Sequence, residues 1–101
     1  KAALNMLTQV AAVECANPAS GHNVVRINAV CPGPTLGGMN TDERLRANPA
    51  STEEKIQSTA MKRFAKPEEI SAAVIWLLSE QASYVTGTLL SVDGGCSAGK
   101  F

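Results

Sequence analysis

Few residues of this sequence have the chemistry of catalysis, and their spacing removes most of the usual schemes. A single histidine, His22, stands among turn-forming residues, so no Ser-His-Asp set can be assembled around it. Cys15, Cys31 and Cys96 lie far apart without C-x-x-C spacing, and with one histidine they give no cluster of metal ligands. Cys31 reads as a small buried sulfur, and Glu14, Asp93 and the charged run 42–46 read as solvated or structural. What remains is the glycine-rich exit from an apolar stretch, "VVRINAVCPGPTLGGMN", residues 24–40. Lys1, at the start of an apparent helix, by itself reads as a solvated side chain. Glycine marks places where the backbone turns with positive φ or lets another group come very close. Gly33, Gly37 and Gly38 therefore raise the question of what approaches them, the plain alternative being a strand-to-loop exit.

Composition bounds the fold that must position these residues. A chain of 101 residues fits one small domain, and 45% hydrophobic residues is too many for a disordered tail. Nine basic residues balance nine acidic ones, so no net charge draws the chain to a phosphate backbone or an anionic lipid surface. Neither nucleic acid nor membrane is expected as a partner. The longest apolar run, residues 72–78, is far shorter than the roughly 20 residues of a spanning helix. Scattered cysteines in odd number point to a reducing, cytoplasmic setting. Because the sequence begins inside an apparent helix, without a starting methionine or a signal pattern, its first residue reads as a cut edge.

The elements alternate between helical and strand patterns. From Lys1, the residues Ala3, Leu7, Val10 and Val13, with Leu4 and Met6 beside them, follow the spacing of one helix face, and "NPASG" ends the helix. Residues 23–31 predict a strand, apolar on both faces as in a parallel sheet covered by helices on both sides. Arg26 and Asn28 interrupt it, and a buried unpaired amide at Asn28 would cost roughly 1–3 kcal/mol. Over residues 36–66 the pattern weakens to two short helices, 42–47 and 52–60, the second opened by Ser51 with Glu54 three places on. Met39, Leu45, Ile56, Met61 and Phe64 could form the underside of a lid; the alternative is a surface excursion packed on the core. Pro67 then opens a helix over 67–79, with Glu68 and Glu69 at its positive end and Ile70, Ala73, Val74, Leu77 and Leu78 as its buried stripe. Ala72, Ile75 and Trp76 add apolar surface beside that stripe. A strand over 88–93 ends in Asp93-Gly94-Gly95. Helix, strand, excursion, helix and strand make the crossover unit of an α/β sheet. Two parallel strands cannot cover themselves, so alone the chain should leave much apolar surface facing water.

Read in order, "KAAL", "VRINAVCPG", "RFAKPEEISAAVIWLLSEQASYVTG" and "VDGG" resemble the C-terminal part of the short-chain dehydrogenase/reductase family, a likeness that covers residues 1–95. It implies a Rossmann-like, doubly wound parallel sheet in three α/β/α layers, with residues 1–101 as the C-terminal part of one such domain and 36–66 as its substrate lid. It implies an oxidoreductase that moves hydride between a nicotinamide cofactor, NAD or NADP, and a carbonyl or alcohol substrate. Lys1 matches the lysine of the family's Tyr-x-x-x-Lys motif, which makes it both catalytic and cofactor-binding: it bonds the nicotinamide ribose and acidifies the tyrosine. A unit charge about 5 Å from a phenolate, at an effective dielectric of about 20, is worth roughly 3 kcal/mol, or about two pKa units. Pro32, Gly33 and Thr35 match the loop that approaches the nicotinamide carboxamide, Thr35 through its backbone, and Leu36 and Met39 fall where substrate is expected. The chain departs from the family at Gly37, where many members place a threonine hydroxyl; the glycine removes that contact and is expected to loosen the lid's hinge. The motif's tyrosine and the family's serine lie outside the sequence, so the 101-residue chain alone is expected to be inactive. The resemblance further implies a homotetramer built through the 67–79 helix and the 88–93 strand. The other reading it allows is a non-catalytic reductase-like subunit that keeps the fold without the full catalytic set.

Overall fold

In the computed structural model, which describes residues 1–100, six regular elements are joined by loops and short 3-10 turns. They are helix α1 (Ala2–Ala16), strand β1 (Ala29–Pro32), helices α2 (Asp42–Ala47), α3 (Pro49–Gln57) and α4 (Pro67–Leu78), and strand β2 (Leu89–Val92). The two strands pair in one sheet. Ala29 N–H donates to Thr88 O at 3.0 Å and Gly33 N–H to Val92 O at 3.0 Å. Both partners advance by four residues, so the strands are parallel, as the crossover through α4 requires. The chain divides into two compact units: Lys1–Val30 with Val74–Leu90, and Cys31–Ala73 with the chain from Ser91 onward.

In the first unit, α1 ends at Asn17, whose side chain accepts the Ala19 N–H at 3.0 Å and turns the chain into Pro18. Val25 N–H then ties back to Cys15 O at 3.0 Å. Asn28 finds partners at both ends of its amide: Nδ2 donates to Val85 O at 3.0 Å, and Oδ1 accepts the Thr88 N–H at 3.0 Å. Arg26 donates to Val85 O at 3.1 Å and to Ser79 O at 3.2 Å. Both residues thus hold the end of the crossover against the start of β1. They also explain why β1 is shorter than the strand expected over 23–31. Ahead of Ala29 the neighbouring chain bends at Gly87: the Ile27 carbonyl accepts the Gly87 N–H at 2.8 Å, but the Ile27 N–H donates to the Thr86 hydroxyl at 3.0 Å, so a side chain replaces part of the ladder.

Both long helices leave apolar surface uncovered, and in α4 this includes part of the stripe expected to be buried. In α1 the buried residues are Thr8 and Ala12, while Leu7, Val10 and Val13 are more than half exposed. Thr8 and Ala12 are small enough for close backbone contact: a Cβ on Gly87 would lie 3.5 Å from Ala12 Cβ. In α4 only Leu77 is buried, and Leu78 is 78% exposed. A sheet of two strands is too narrow to cover the whole apolar stripe, and an open groove of about 380 Å³ runs past Ile27, Val30, Val74 and Leu77. The apolar surface expected to face water is present.

In the second unit, Thr41 caps α2 by accepting the Arg44 N–H at 3.3 Å, with Asp42 and Glu43 in the first turn. Helix α3 begins at Pro49, three residues before the expected start at Thr52. Pro49 needs no hydrogen-bond acceptor in the first turn, and Asn48 Nδ2 donates to Arg44 O at 3.0 Å, so the chain re-enters a helix at once. Ser51 is consequently the third residue of α3 and not its cap. Thr52 Oγ1 lies 2.8 Å from Leu45 O and 2.9 Å from Asn48 O and joins the two helices. The helix stops at Gln57, where Ser58 and Thr59 fold their hydroxyls back onto Lys55 O and Ile56 O. Thr59 is 1% exposed and also receives the Arg63 N–H. The side chains of the expected lid face divide: Leu45, Ile56 and Phe64 are half-buried, whereas Met39 and Met61 are exposed.

The start of α4 follows its sequence signals. Glu69 Oε1 accepts the Lys66 N–H at 2.9 Å, and both carboxylate oxygens accept from Arg63, at 2.7 and 2.9 Å. The Arg63 side-chain hydrogen bond, followed by the Lys66 backbone, lowers the Glu69 pKa to about 2. A carboxyl depressed in the folded state contributes stability above its ordinary range and loses it as pH falls through the folded value. Thermal unfolding of the wild type and of Glu69→Gln should therefore differ by a constant amount above pH 5. The difference should shrink between pH 4.5 and pH 2 and vanish below. A gap that persists unchanged at pH 2 would exclude the ion pair as its source.

Candidate functional site

The expected site begins where the chain leaves β1. Beyond the Gly33–Val92 bond there is no room for a side chain: a Cβ on Gly33 would lie 2.7 Å from Asp93 Cα and 2.8 Å from Asp93 Cβ. The group that comes close to Gly33 is thus the end of β2. Asp93 Oδ1 accepts the Gly95 N–H at 3.1 Å and Oδ2 the Ser97 N–H at 3.0 Å. Hydrogen bonding from the Ser97 side chain, against the opposing effect of burial, holds the Asp93 carboxyl below its usual range.

After Gly33 the chain forms a second, single-residue pairing. Ala65 N–H donates to Pro34 O at 2.9 Å and Leu36 N–H to Ala65 O at 3.0 Å, a parallel bridge centred on Thr35 and Ala65. In such a bridge the central residue's own N–H and C=O point away from the partner. Thr35 therefore turns its backbone edge outward from Ala65, while its hydroxyl donates to Gly33 O at 2.9 Å. Asn40 controls one half of that edge. Its Nδ2 donates to Thr35 O at 2.9 Å, its Oδ1 accepts from Lys55 Nζ at 2.8 Å, and its backbone pairs reciprocally with Gly37 at 2.8 and 3.0 Å. Gly37 at φ 94 and Gly38 at φ 55 adopt the left-handed conformations this tight turn needs. Gly37, expected to loosen the lid's hinge, thus exchanges both backbone hydrogen bonds with Asn40 across the turn.

Pro32, Gly33, Thr35, Leu36 and Met39 thus fall together within the second unit. Gly33, Thr35 and Leu36 are half-buried, Pro32 is exposed, and Met39 is 78% exposed. Lys1 belongs to the first unit, where it is exposed at the N-cap of α1 and its carbonyl accepts the Asn5 N–H at 2.9 Å. Sequence reading missed Asn40 and Lys55. The "GGMN" stretch carries a turn signal that could have marked Asn40; Lys55 is fifteen residues away, with no local signature.

A family model described as Enoyl-(Acyl carrier protein) reductase matches residues 1–97. Among curated proteins, a short chain dehydrogenase/reductase of Aspergillus oryzae is 42% identical over 91 residues, covering 90% of this chain and 33% of its own. The chain belongs to the short-chain dehydrogenase/reductase family. Glucose 1-dehydrogenase 2 of Bacillus subtilis is 39% identical over 95 residues, covering 94% of this chain and 34% of its own. The chain spans about a third of the length of the curated relatives it matches. Solved structures superpose on it closely. A putative 2-deoxy-d-gluconate 3-dehydrogenase of Agrobacterium tumefaciens, solved with bound NADP, gives a TM-score of 0.78 at 35% identity, over 94% of this chain and 36% of that one. The TT0495 protein of Thermus thermophilus gives 0.80 at 36% identity, over 98% of this chain and 38% of that one. The Rossmann fold of this family is thereby the fold of the chain, with β1, α4 and β2 as one of its parallel crossovers.

Within this chain the Lys55–Asn40–Thr35 series sets the outward edge of the loop. Asn40→Ala removes a hydrogen bond from Thr35 and the acceptor of a charged donor, a loss of about 1–2 kcal/mol. Lys55→Met should cost less, because Asn40 keeps its bond to Thr35. Chemical denaturation of the full-length variants, with hydrogen exchange at the Leu36 and Ala65 amides, measures both effects. Equal stability of wild type and Asn40→Ala would show that the edge is held by other contacts.

Proposed function

We propose that the full-length protein is an oxidoreductase that moves hydride between a nicotinamide cofactor, NAD or NADP, and a carbonyl or alcohol substrate. The supporting observation is the Thr35 edge. The Thr35–Ala65 bridge leaves the Thr35 N–H pointing outward, and the Thr35 carbonyl beside it is fixed by Asn40. A donor and an acceptor held side by side fit a carboxamide, and neither requires the Thr35 side chain, which is turned back to Gly33. The bound NADP of the Agrobacterium relative and the dehydrogenase names of the curated relatives support the same reading.

When bound, the cofactor supplies or accepts the hydride. The chain's residues orient and tune. Pro32 and Gly33 bring the backbone to the end of the sheet, where α/β folds take their ligands. Lys1, on the helix face of the motif's tyrosine, favours the ionised phenol and so governs the proton at the substrate oxygen. Leu36 and Met39 offer apolar surface to the substrate, and residues 36–66 serve as the lid above it. The exposed Ile75 and Leu78 of α4 support a homotetramer that uses this helix and β2 as one interface. A cytoplasmic protein fits the free cysteines among the described residues.

Replacing Lys1 in the full-length enzyme tests the reading. Lys1→Ala should lower turnover about 100-fold or more while circular dichroism and thermal unfolding stay close to wild type. Near-normal turnover would remove Lys1 from the chemistry, and no binding of either reduced nucleotide to the wild type, followed by fluorescence, would remove the nicotinamide assignment.

A further inference from the structure

The turn that fixes Thr35 forms one wall of a second feature. A cleft of about 350 Å³ opens between α2, α3 and the Gly37–Asn40 turn, and two cations line it: Arg44 from α2 and Lys55 from α3. No carboxylate lines the cleft; Asp42, Glu43, Glu53 and Glu54 belong to the same two helices but lie outside its lining, and Glu53 accepts from Gln57 Nε2 at 2.8 Å. Arg63 is paired with Glu69, whereas neither Arg44 nor Lys55 has an acidic partner among the described residues. Lys55 is half-buried and bonded at 2.8 Å to the amide oxygen of Asn40. A neutral acceptor fixes the ammonium without cancelling its charge, which leaves two of its three protons for a ligand. Ser51 adds a hydroxyl without a protein partner among the described residues, whereas the Thr52 hydroxyl is already engaged with Leu45 O and Asn48 O. Met39 and Leu45 supply the apolar part of the lining.

From this lining we infer that the cleft binds the oxyanion of a small ligand, a carboxylate or a phosphate, between Arg44 and Lys55. Two like charges facing one cleft repel each other, and an anion between them offsets that repulsion while its oxygens take up the Lys55 and Ser51 donors. The planar guanidinium of Arg44 can meet two oxygens of a carboxylate or phosphate at once. The volume suits such a group with a short carbon chain. Asn40 is shared: it positions Lys55 on one side and the Thr35 carbonyl on the other. Resting on the oxidoreductase reading for this step alone, the ligand is the substrate, and the enzyme acts on a carbonyl or alcohol compound that carries a remote anionic group.

Thermal unfolding of the full-length protein without cofactor provides the test, with sodium succinate and inorganic phosphate as probes and sodium chloride at matched ionic strength as control. A ligand that binds only the folded state raises the melting temperature along a saturating curve. Succinate, phosphate or both should do so in the wild type, and the more effective anion names the group. The apparent affinity should fall about tenfold or more in Arg44→Gln and in the Arg44→Gln/Lys55→Gln double variant, and Lys55→Arg should keep it. Arg44→Gln leaves the Lys55–Asn40 bond intact, so it serves if the double variant does not fold. No rise beyond that of chloride, or an equal rise in wild type and Arg44→Gln, overturns the inference. Nucleotide binding is titrated in parallel. If nucleotide binds and the anions do not, the cleft is refuted and the oxidoreductase reading stands; if the anions bind and nucleotide does not, the reverse holds.

Discussion

Where the chain can leave β1 is decided by the space of one methyl group. Asp93 at the end of β2 lies so close to Gly33 that any side chain there would overlap its backbone, and the Gly33 N–H is tied to Val92 O next to it. The rest of the second unit follows from that contact. With Gly33 seated, Pro34 and Leu36 meet Ala65, the Thr35 edge turns outward, and the Gly37–Asn40 turn closes behind it. On the other strand, the Asp93 carboxylate binds the Gly95 and Ser97 amides, and the Gly94 carbonyl accepts the Met61 N–H at 3.0 Å. The segment that leaves the sheet after β1 and the one that returns toward α4 are thus fastened at the same end of the two strands.

Local signals were legible where a few neighbouring residues decide the outcome. Thr41 with two following acids fixes α2, and Pro67 with Glu69 fixes the start of α4, because each cap is completed within four residues. Reading failed where the deciding partner is distant. The residues ahead of Ala29 have strand composition, but the chain beside them bends at Gly87, and hydrogen bonds through the Asn28 amide and the Thr86 hydroxyl replace part of the ladder. The S-x-x-E pattern at Ser51 resembles a capping box, yet Pro49 two residues earlier already satisfies the conditions for a helix start. Hydrophobic spacing identified α1 as a helix, and within this chain it is the small Thr8 and Ala12, packed beside Gly87, that are buried, while Leu7 and Val10 stay uncovered. The family motifs located the loop around Thr35; they carried no information about Asn40 or Lys55, whose pairing depends on how the excursion folds back.

Charged residues of similar type do different work here according to what faces them. Arg63 has Glu69 opposite it, and the pair is consumed in holding the start of α4. Lys55 faces an amide oxygen and Arg44 faces an open cleft, so both keep their charge available. In the same way, the apolar residues of α1 and α4 that lack cover in this chain, Leu7, Val10, Ile75 and Leu78, are surfaces for packing that a two-stranded sheet cannot supply.

The dependence on Gly33 is open to direct measurement in the full-length protein carrying Gly33→Ala. Forcing a methyl group against Asp93 should cost about 1–3 kcal/mol in chemical denaturation, and amide exchange at Gly95, Ser97, Leu36 and Ala65 should quicken together. A Gly33→Ala protein as stable as the wild type, with exchange at those four amides unchanged, would contradict the account.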